Sequence, residues 1–302
     1  MKIKILLACA SILLFFDAWP QSDILKPISL NFDFKDEHPI DFVVRDQRIY
    51  VGDGRQVYCF DLAGNFLCKA SFNNIGFASF DVRNINGVLK YYLIWNGKLY
   101  IFNAQKLEKE INLRCQNFKV NADGIVFFDF QEPLNSNSID VDTIIDKLGS
   151  YDFRTNKTTK YKLKYNAQVQ SMDSSGAIYW AYDNMIYFLN PKLNSFIATG
   201  PEYPYDGTSK FIGFIKGRSY IKFYGGSHLD SFYVQTNKVN KIELKIVDLK
   251  FEELHKSIKK DHDYLMEDHA GVHYFFDGIN SIYYMRYTKL FCEIGPLESV
   301  LK

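Results

Sequence analysis

Near the C-terminal end the chain crowds His255, His262, Asp263, Glu267, Asp268, His269 and His273 into one short stretch. Imidazoles and carboxylates at close spacing are the donor set of a zinc or mixed nitrogen and oxygen metal centre. Their spacing argues against a shared ion. If Asp263 to Glu267 form a strand, His262 and His269 stand at its opposite ends, about 20 Å apart at ~3.3 Å per residue. His255 and His262 are two helical turns apart if a helix carries them, about 10 Å, which is too far for direct sharing. No metal is expected here, and His273 is expected to pack between sheets or to hydrogen-bond within one.

Other reactive constellations are weaker. Asp140-Val141-Asp142 is the nearest approach to a calcium loop, and it lacks the dense alternating carboxylates that such a loop needs. The sequence has no Gly-x-Ser-x-Gly elbow, no glycine-rich phosphate loop and no Cys-x-x-Cys, so no cofactor is expected. What remains is recognition chemistry. Arg55 is a candidate clamp for a carboxylate, or else a solvated surface arginine. Trp95, Tyr203 and Tyr205 offer ring faces to a sugar or peptide, or else pack at a rim. His228 and His262 complete the candidate ligand-binding set. Asp53-Gly54 and Asp277-Gly278 read as turn formers, since Asp and Gly satisfy turn geometry without a ligand.

The elements that must position these residues follow a repeat. Short apolar runs centred on Tyr58, Tyr100, Tyr151, Tyr187, Tyr233 and Tyr283 recur at intervals of 36 to 51 residues, each followed by a turn and a second run. About 40 to 50 residues is what one four-stranded propeller blade requires. The expected fold is all-β, a six-bladed β-propeller of four-stranded antiparallel blades, with one short helical insertion near 250–261 where Phe251, Leu254, His255, Ile258 and His262 recur at helical spacing. The leftover run at 27–34 is expected to pair with the last blade near Lys289 to Ile294 and so fasten the ring.

The first blade has the clearest pattern, with strands at 41–45, 49–53, 57–61 and 66–70. Its Ile49-Tyr50-Val51-x-Asp53 and Val57-x-x-Phe60-Asp61-x-x-Gly64-x-Phe66 resemble one blade of the NHL-like and TolB-like six-bladed propellers. The resemblance covers about 25 residues; it implies a fold superfamily and no activity.

Lys2 and Lys4 precede an apolar stretch from Ile5 to Phe16, the length of a signal-peptide core and too short to span a bilayer. Residues 1–20 are therefore expected to be a signal peptide and 21–302 a single propeller domain, secreted or periplasmic. Without Lys2, Lys4 and Asp17, the 36 basic and 35 acidic side chains become 34 of each. A chain with no basic surplus is not built to neutralise phosphates, so nucleic acid is not expected as a partner. No later run is long enough for a membrane span.

Four cysteines follow the leader, Cys59, Cys68, Cys115 and Cys292. Asp61-Leu62-Ala63-Gly64 reads as a type I turn that pairs Asp61 with Asn65, which sets Cys59 against Leu67 and turns the Cys59 and Cys68 thiols to opposite faces. A two-residue Ala63-Gly64 loop would instead put them directly across from each other.

In a propeller, the second-to-third turn of each blade and the link to the next blade emerge at the same end. The insertions at 130–148 and 246–261 both fall in such connections, and long loops on a rigid scaffold carry binding or catalysis. The expected function is binding of a protein, peptide or glycan through that face. The alternative is a propeller hydrolase or lyase with its site at the channel mouth.

Overall fold

The computed structural model describes residues 26–30, 39–72, 75–133, 144–161, 163, 167–182, 185–191, 195–199, 209–223, 231–238, 241–248, 271–287 and 292–301. After a short β1 (Ile28–Leu30), the first sheet contains β2 (Asp41–Arg45), β3 (Arg48–Gly52), β4 (Gln56–Asp61) and β5 (Phe66–Ser71). The second contains β6 (Ser79–Ile85), β7 (Val88–Trp95), β8 (Lys98–Asn103) and β9 (Lys106–Asn112). The third contains β10 (Cys115–Val120), β11 (Ile125–Pro133), β12 (Ile144–Asp152) and β13 (Lys157–Lys160). The fourth contains β14 (Ser171–Met172), β15 (Ile178–Tyr182), β16 (Met185–Asn190) and β17 (Ser195–Thr199), and the fifth β18 (Ser209–Ile215), β19 (Arg218–Phe223), β20 (Ser231–Lys238) and β21 (Lys241–Asp248). The last strands are β22 (Gly271–Phe276), β23 (Ile282–Tyr287) and β24 (Cys292–Pro296).

Among these residues the strands form six four-stranded antiparallel sheets. Five are meanders of four consecutive strands, the blade unit of a β-propeller. The sixth has the order β1-β24-β23-β22, so its outer strand comes from the other end of the chain. Ile28 pairs with Ile294, Ser29 with Glu293 and Leu30 with Cys292, as expected for the run at 27–34. Gly64, at φ +86°, turns beneath this strand; a Cβ there would lie 2.6 Å from Ile28 Cγ2 and 3.1 Å from the Ser29 carbonyl oxygen. β1 therefore ties the last sheet to the outer turn of the first.

Burial runs from the axis outward. The middles of β2, β3 and β4 are buried on both faces, because each sheet packs between two neighbours, whereas β5, β9 and β13 are mostly exposed, β9 and β13 with mostly polar side chains and β5 with Phe66 and Leu67 outward. The charged side chains of β9 and β13 guard those outer strands against pairing with another chain. Aromatic side chains fill the spaces between sheets: Phe72 packs against Phe77, Tyr91 and Phe102 at centroid distances of 6.1, 5.3 and 4.9 Å.

Polar side chains also stitch sheet to sheet near the axis. Asp81 accepts the Val120 amide at 3.2 Å, Asp129 the Val169 amide at 3.1 Å and Gln170 the Phe211 amide at 2.7 Å. In each case a buried or half-buried acceptor satisfies a backbone donor on, or leading into, the first strand of the next sheet. Such donors would otherwise be costly, since an innermost strand has an unpaired edge.

Two expectations change. The Asp61 turn forms as expected, with the Asp61 amide donating to the Asn65 carbonyl at 3.0 Å, but Leu67 bulges out and moves the register by one. Cys59 consequently stands directly opposite Cys68. In the last sheet, β22 adjoins β2 and β18, the first strands of its neighbours, so 271–276 and not 263–267 holds the inner position among the described residues. The turn at Asp277 is therefore a first-to-second turn, and it lies at the end opposite the insertions. No α-helix occurs among the described residues, only a single 3-10 turn at Leu297–Val300; the helix expected near 250–261, like the leader, falls outside them and is untested by them.

Candidate functional site

Strand alternation in a meander puts the β3–β4, β7–β8, β11–β12 and β15–β16 turns at one end, with the links between sheets. Arg55 lies in the first of these turns and is exposed. Asp53 is 7% exposed and builds that turn, accepting the Arg55 and Gln56 amides at 2.9 and 2.7 Å and the Tyr58 hydroxyl at 2.8 Å. Trp95, at the end of β7, is 41% exposed, and its indole lies against the backbone at Gly76, where an added Cβ would meet it at 3.4 Å. One face of the ring is thus supported by the link between the first two sheets while part of it meets solvent. Tyr182, at the end of β15, is 40% exposed at the same end. Sequence reasoning passed over Tyr182, although its place at the end of an apolar strand is the signal Trp95 gave. Tyr203, Tyr205, His228 and His262 lie outside the described residues. Within the third sheet the β11–β12 ladder continues to Pro133 opposite Ile144, so residues 144–148 of the expected insertion are paired strand and only 134–143 fall between its arms.

A second polar region lies on the axis. Arg45 of β2 makes a two-pronged contact with Asp81 of β6, at 3.1 and 3.3 Å, and its guanidinium lies 5.1 Å from the centre of the Phe275 ring of β22. Arg83 approaches the same carboxylate at 3.8 Å and also donates to the Val120 carbonyl. Burial would raise the Asp81 carboxyl, but Arg45, Arg83 and Lys119 outweigh it and hold the group below its ordinary value. Burial and the neighbouring Arg45 push the Arg83 guanidinium down to about 9, so it stays charged at neutral pH.

Lys210 of β18 senses the charges of Lys119 of β10, Asp41 of β2 and Asp129 of β11. Enclosure by the surrounding sheets, with the like charge of Lys119, lowers the Lys210 ammonium, while Asp41 and Asp129 oppose the shift. Lys210 nonetheless keeps an exposed surface. His273 of β22 stacks on Tyr287 at 5.6 Å and 12° and lies 3.5 Å from its hydroxyl. Enclosure lowers its pKa as well, with Asp41 favouring and Lys210 disfavouring the charged form. The contact with the Tyr287 hydroxyl is the hydrogen bond within a sheet that the sequence offered as one alternative, and not packing between sheets; its place among the axial charges is new. None of these axial residues sits in a motif. Their only sequence signal is a charged residue inside an apolar strand, as in Phe80-Asp81-Val82.

Antiparallel four-stranded sheets, five of them meanders, with first strands that adjoin those of neighbouring sheets and turns gathered at two ends, define a β-propeller arrangement. The chain is similar to a solved luciferin-regenerating enzyme, at TM-score 0.50 and 8% identity, over 89% of this chain and 95% of that one. It also matches a hydrazine synthase structure from Kuenenia stuttgartiensis (TM-score 0.47, 8% identity, 83% of this chain and 74% of that one). A third match is a protein from Lactobacillus plantarum (TM-score 0.43, 10% identity, 70% and 71%). Identity this low speaks to fold alone. No protein-family model matches the chain, and no curated protein does.

Proposed function

We propose that the chain is an exported, six-bladed propeller of the NHL-like or TolB-like kind that binds a protein, peptide or glycan through the end bearing the 130–148 and 246–261 insertions. Residues 1–20 act as its signal peptide, and the mature protein works outside the cytoplasm, secreted or periplasmic. The reading rests on one observation: Trp95 and Tyr182 expose large aromatic faces at the end where the β11–β12 hairpin emerges. Aromatic faces on a rigid support bind sugars and apolar side chains at small entropic cost. Arg55 belongs to the same end; Tyr203, Tyr205 and His262 fall by chain order in its links, and His228 falls in the β19–β20 connection.

The test is binding of residues 21–302 to immobilised glycan and peptide panels, with Trp95→Ala, Tyr182→Ala and a variant whose residues 134–143 are replaced by Asn-Gly. Each change is expected to weaken the recognised ligand about tenfold or more, as loss of a stacking aromatic does. The thermal midpoint of the loop variant should stay nearly constant, because shortening an outgrowth between paired strands has a small entropic effect. A binding profile indifferent to all three changes would move the site away from this end.

A further inference from the structure

Asn156-Lys157-Thr158 is the single Asn-x-Ser/Thr triplet in the 302 residues, and its middle residue is not proline. In a chain that enters a secretory membrane system, such a triplet is the acceptor of an N-linked oligosaccharide, and the bulk of the sugar demands a surface position in the folded protein. The fold supplies one. Asn156 lies in the turn between β12 and β13, where every residue from Arg154 to Lys160 is exposed. Its backbone has a left-handed φ of +53°, and its side-chain Oδ1 accepts the hydroxyl of buried Tyr151 at 2.7 Å. The other end of the same amide, Nδ2, has no hydrogen-bond partner among the described residues, and neither has the Thr158 hydroxyl. Turn geometry accounts for an asparagine at 156, since Asn tolerates positive φ. It asks for no hydroxyl at 158, where the side chain is exposed and the residue pairs with Tyr151 through the backbone ladder.

We propose that Asn156 carries an N-linked oligosaccharide. The inference rests on the export reading and narrows the route to one that holds a polyprenyl-diphosphate-linked sugar and its membrane transferase. In the transfer, Nδ2 of Asn156 bonds to the anomeric carbon and the bond from that carbon to the diphosphate oxygen breaks. Polyprenyl diphosphate leaves with the electron pair, and Nδ2 gives up one proton to a base of the transferase. Oδ1 keeps its lone pairs, so the Tyr151 hydrogen bond persists in the modified protein. The β12–β13 turn joins the third and fourth strands of its sheet and so lies at the end opposite Trp95, which leaves the proposed binding face open. A sugar there also shields the outer strand β13, adding a bulky solvated group to the protection that Lys157 and Lys160 give its edge.

Secretion of two chains from insect cells tests it, residues 1–302 with their own leader and residues 21–302 behind a host secretion signal. The intact mass of each secreted protein should exceed that of the polypeptide by one oligosaccharide, and peptide N-glycosidase should remove the sugar and leave Asp at position 156. Thr158→Ala, which retains Asn156 and its turn, should abolish the added mass, whereas Thr158→Ser should keep it. Secreted wild-type protein from the host signal with no sugar at Asn156 overturns the proposal, and this measurement needs no variant. Sugar retained in Thr158→Ala would overturn it as well. If only the host-signal chain leaves the cell, and leaves it glycosylated, the export reading falls and the acceptor site stands.

Discussion

Asp81 shows how much one side chain can hold in a fold built from short strands. It is 3% exposed, lies between two guanidiniums and accepts a backbone amide from the next sheet. Asp81→Asn keeps the shape but leaves both arginines without their counter-charge, a change expected to cost about 3 to 5 kcal/mol in denaturant unfolding at pH 7. The pH dependence follows from the direction of its shift. A carboxyl depressed below its unfolded value of 3.8 contributes stability that is complete above that value and disappears as pH falls through the folded one. The gap between wild type and variant should therefore narrow below about pH 4, and a gap constant from pH 7 to pH 2 would show that the carboxylate charge is not what matters. At Cys59 and Cys68 the bulge at Leu67 has a different result. The thiols face one another, one buried and one exposed, both free. Burial, and then Cys68, push the Cys59 thiol up to about 12, so a disulfide reagent reacts first at exposed Cys68, and Cys59 then displaces the reagent thiol to close the bridge. Treatment with oxidised glutathione is expected to remove two hydrogens from the intact mass and to stabilise the protein by about 2 to 3 kcal/mol for so short a loop. Cys68→Ser should abolish both effects; a persistent glutathione adduct on wild type would mean that Cys59 cannot reach.

At the scale of the element, turns decide what strands can do. The β4–β5 turn needs Gly64 twice over, for its positive φ and for the approach of β1 beneath it. Gly64→Ala is expected to lose about 1 kcal/mol from backbone strain, plus whatever the clash with Ile28 adds. Removing residues 1–36 should relieve the second part only, so the substitution ought to cost less in the truncated protein when both are measured by urea unfolding. An equal cost in the two backgrounds would show that β1 does not press on this turn. The β11–β12 hairpin makes the complementary point, since its ladder extends past the other second-to-third turns and carries the insertion away from the sheet on paired strands.

For the whole molecule, the question is how the ends of the ring are joined. β1 supplies the outer strand of the last sheet and buries Leu30 to 4% exposure, which makes a three-residue strand a structural fastener. Deleting residues 1–36 is expected to lower the cooperativity of unfolding and to promote association, because β24 then presents an open edge. The check is hydrogen exchange on the intact chain: slow exchange at Ile28 to Leu30 fits the clasp, whereas exchange as fast as in a free terminus would contradict it. The deletion and the axial contacts bear on the same closure, since β22 meets β2 on the inside while β1 reaches the first sheet from the outside.

Much of this architecture was legible in the residues. Tyrosine-centred runs at blade spacing, Asp and Gly at the turns, and a spare alternating strand at 27–34 are local signals, governed by side-chain alternation and backbone preference, and they led to the sheets, their turns and the clasp. Register inside one hairpin was not legible, because the extra residue at Leu67 fits the ladder as well as its exposed neighbours do. Nor was the inner position of 271–276, since strands of similar composition in one chain differ only in which neighbours they meet. The axial group of Asp41, Asp81, Lys119, Lys210 and His273 lay furthest from view. Each belongs to a different sheet, so no spacing along the chain records them, and closing the sheets around a common axis is what brings those side chains together.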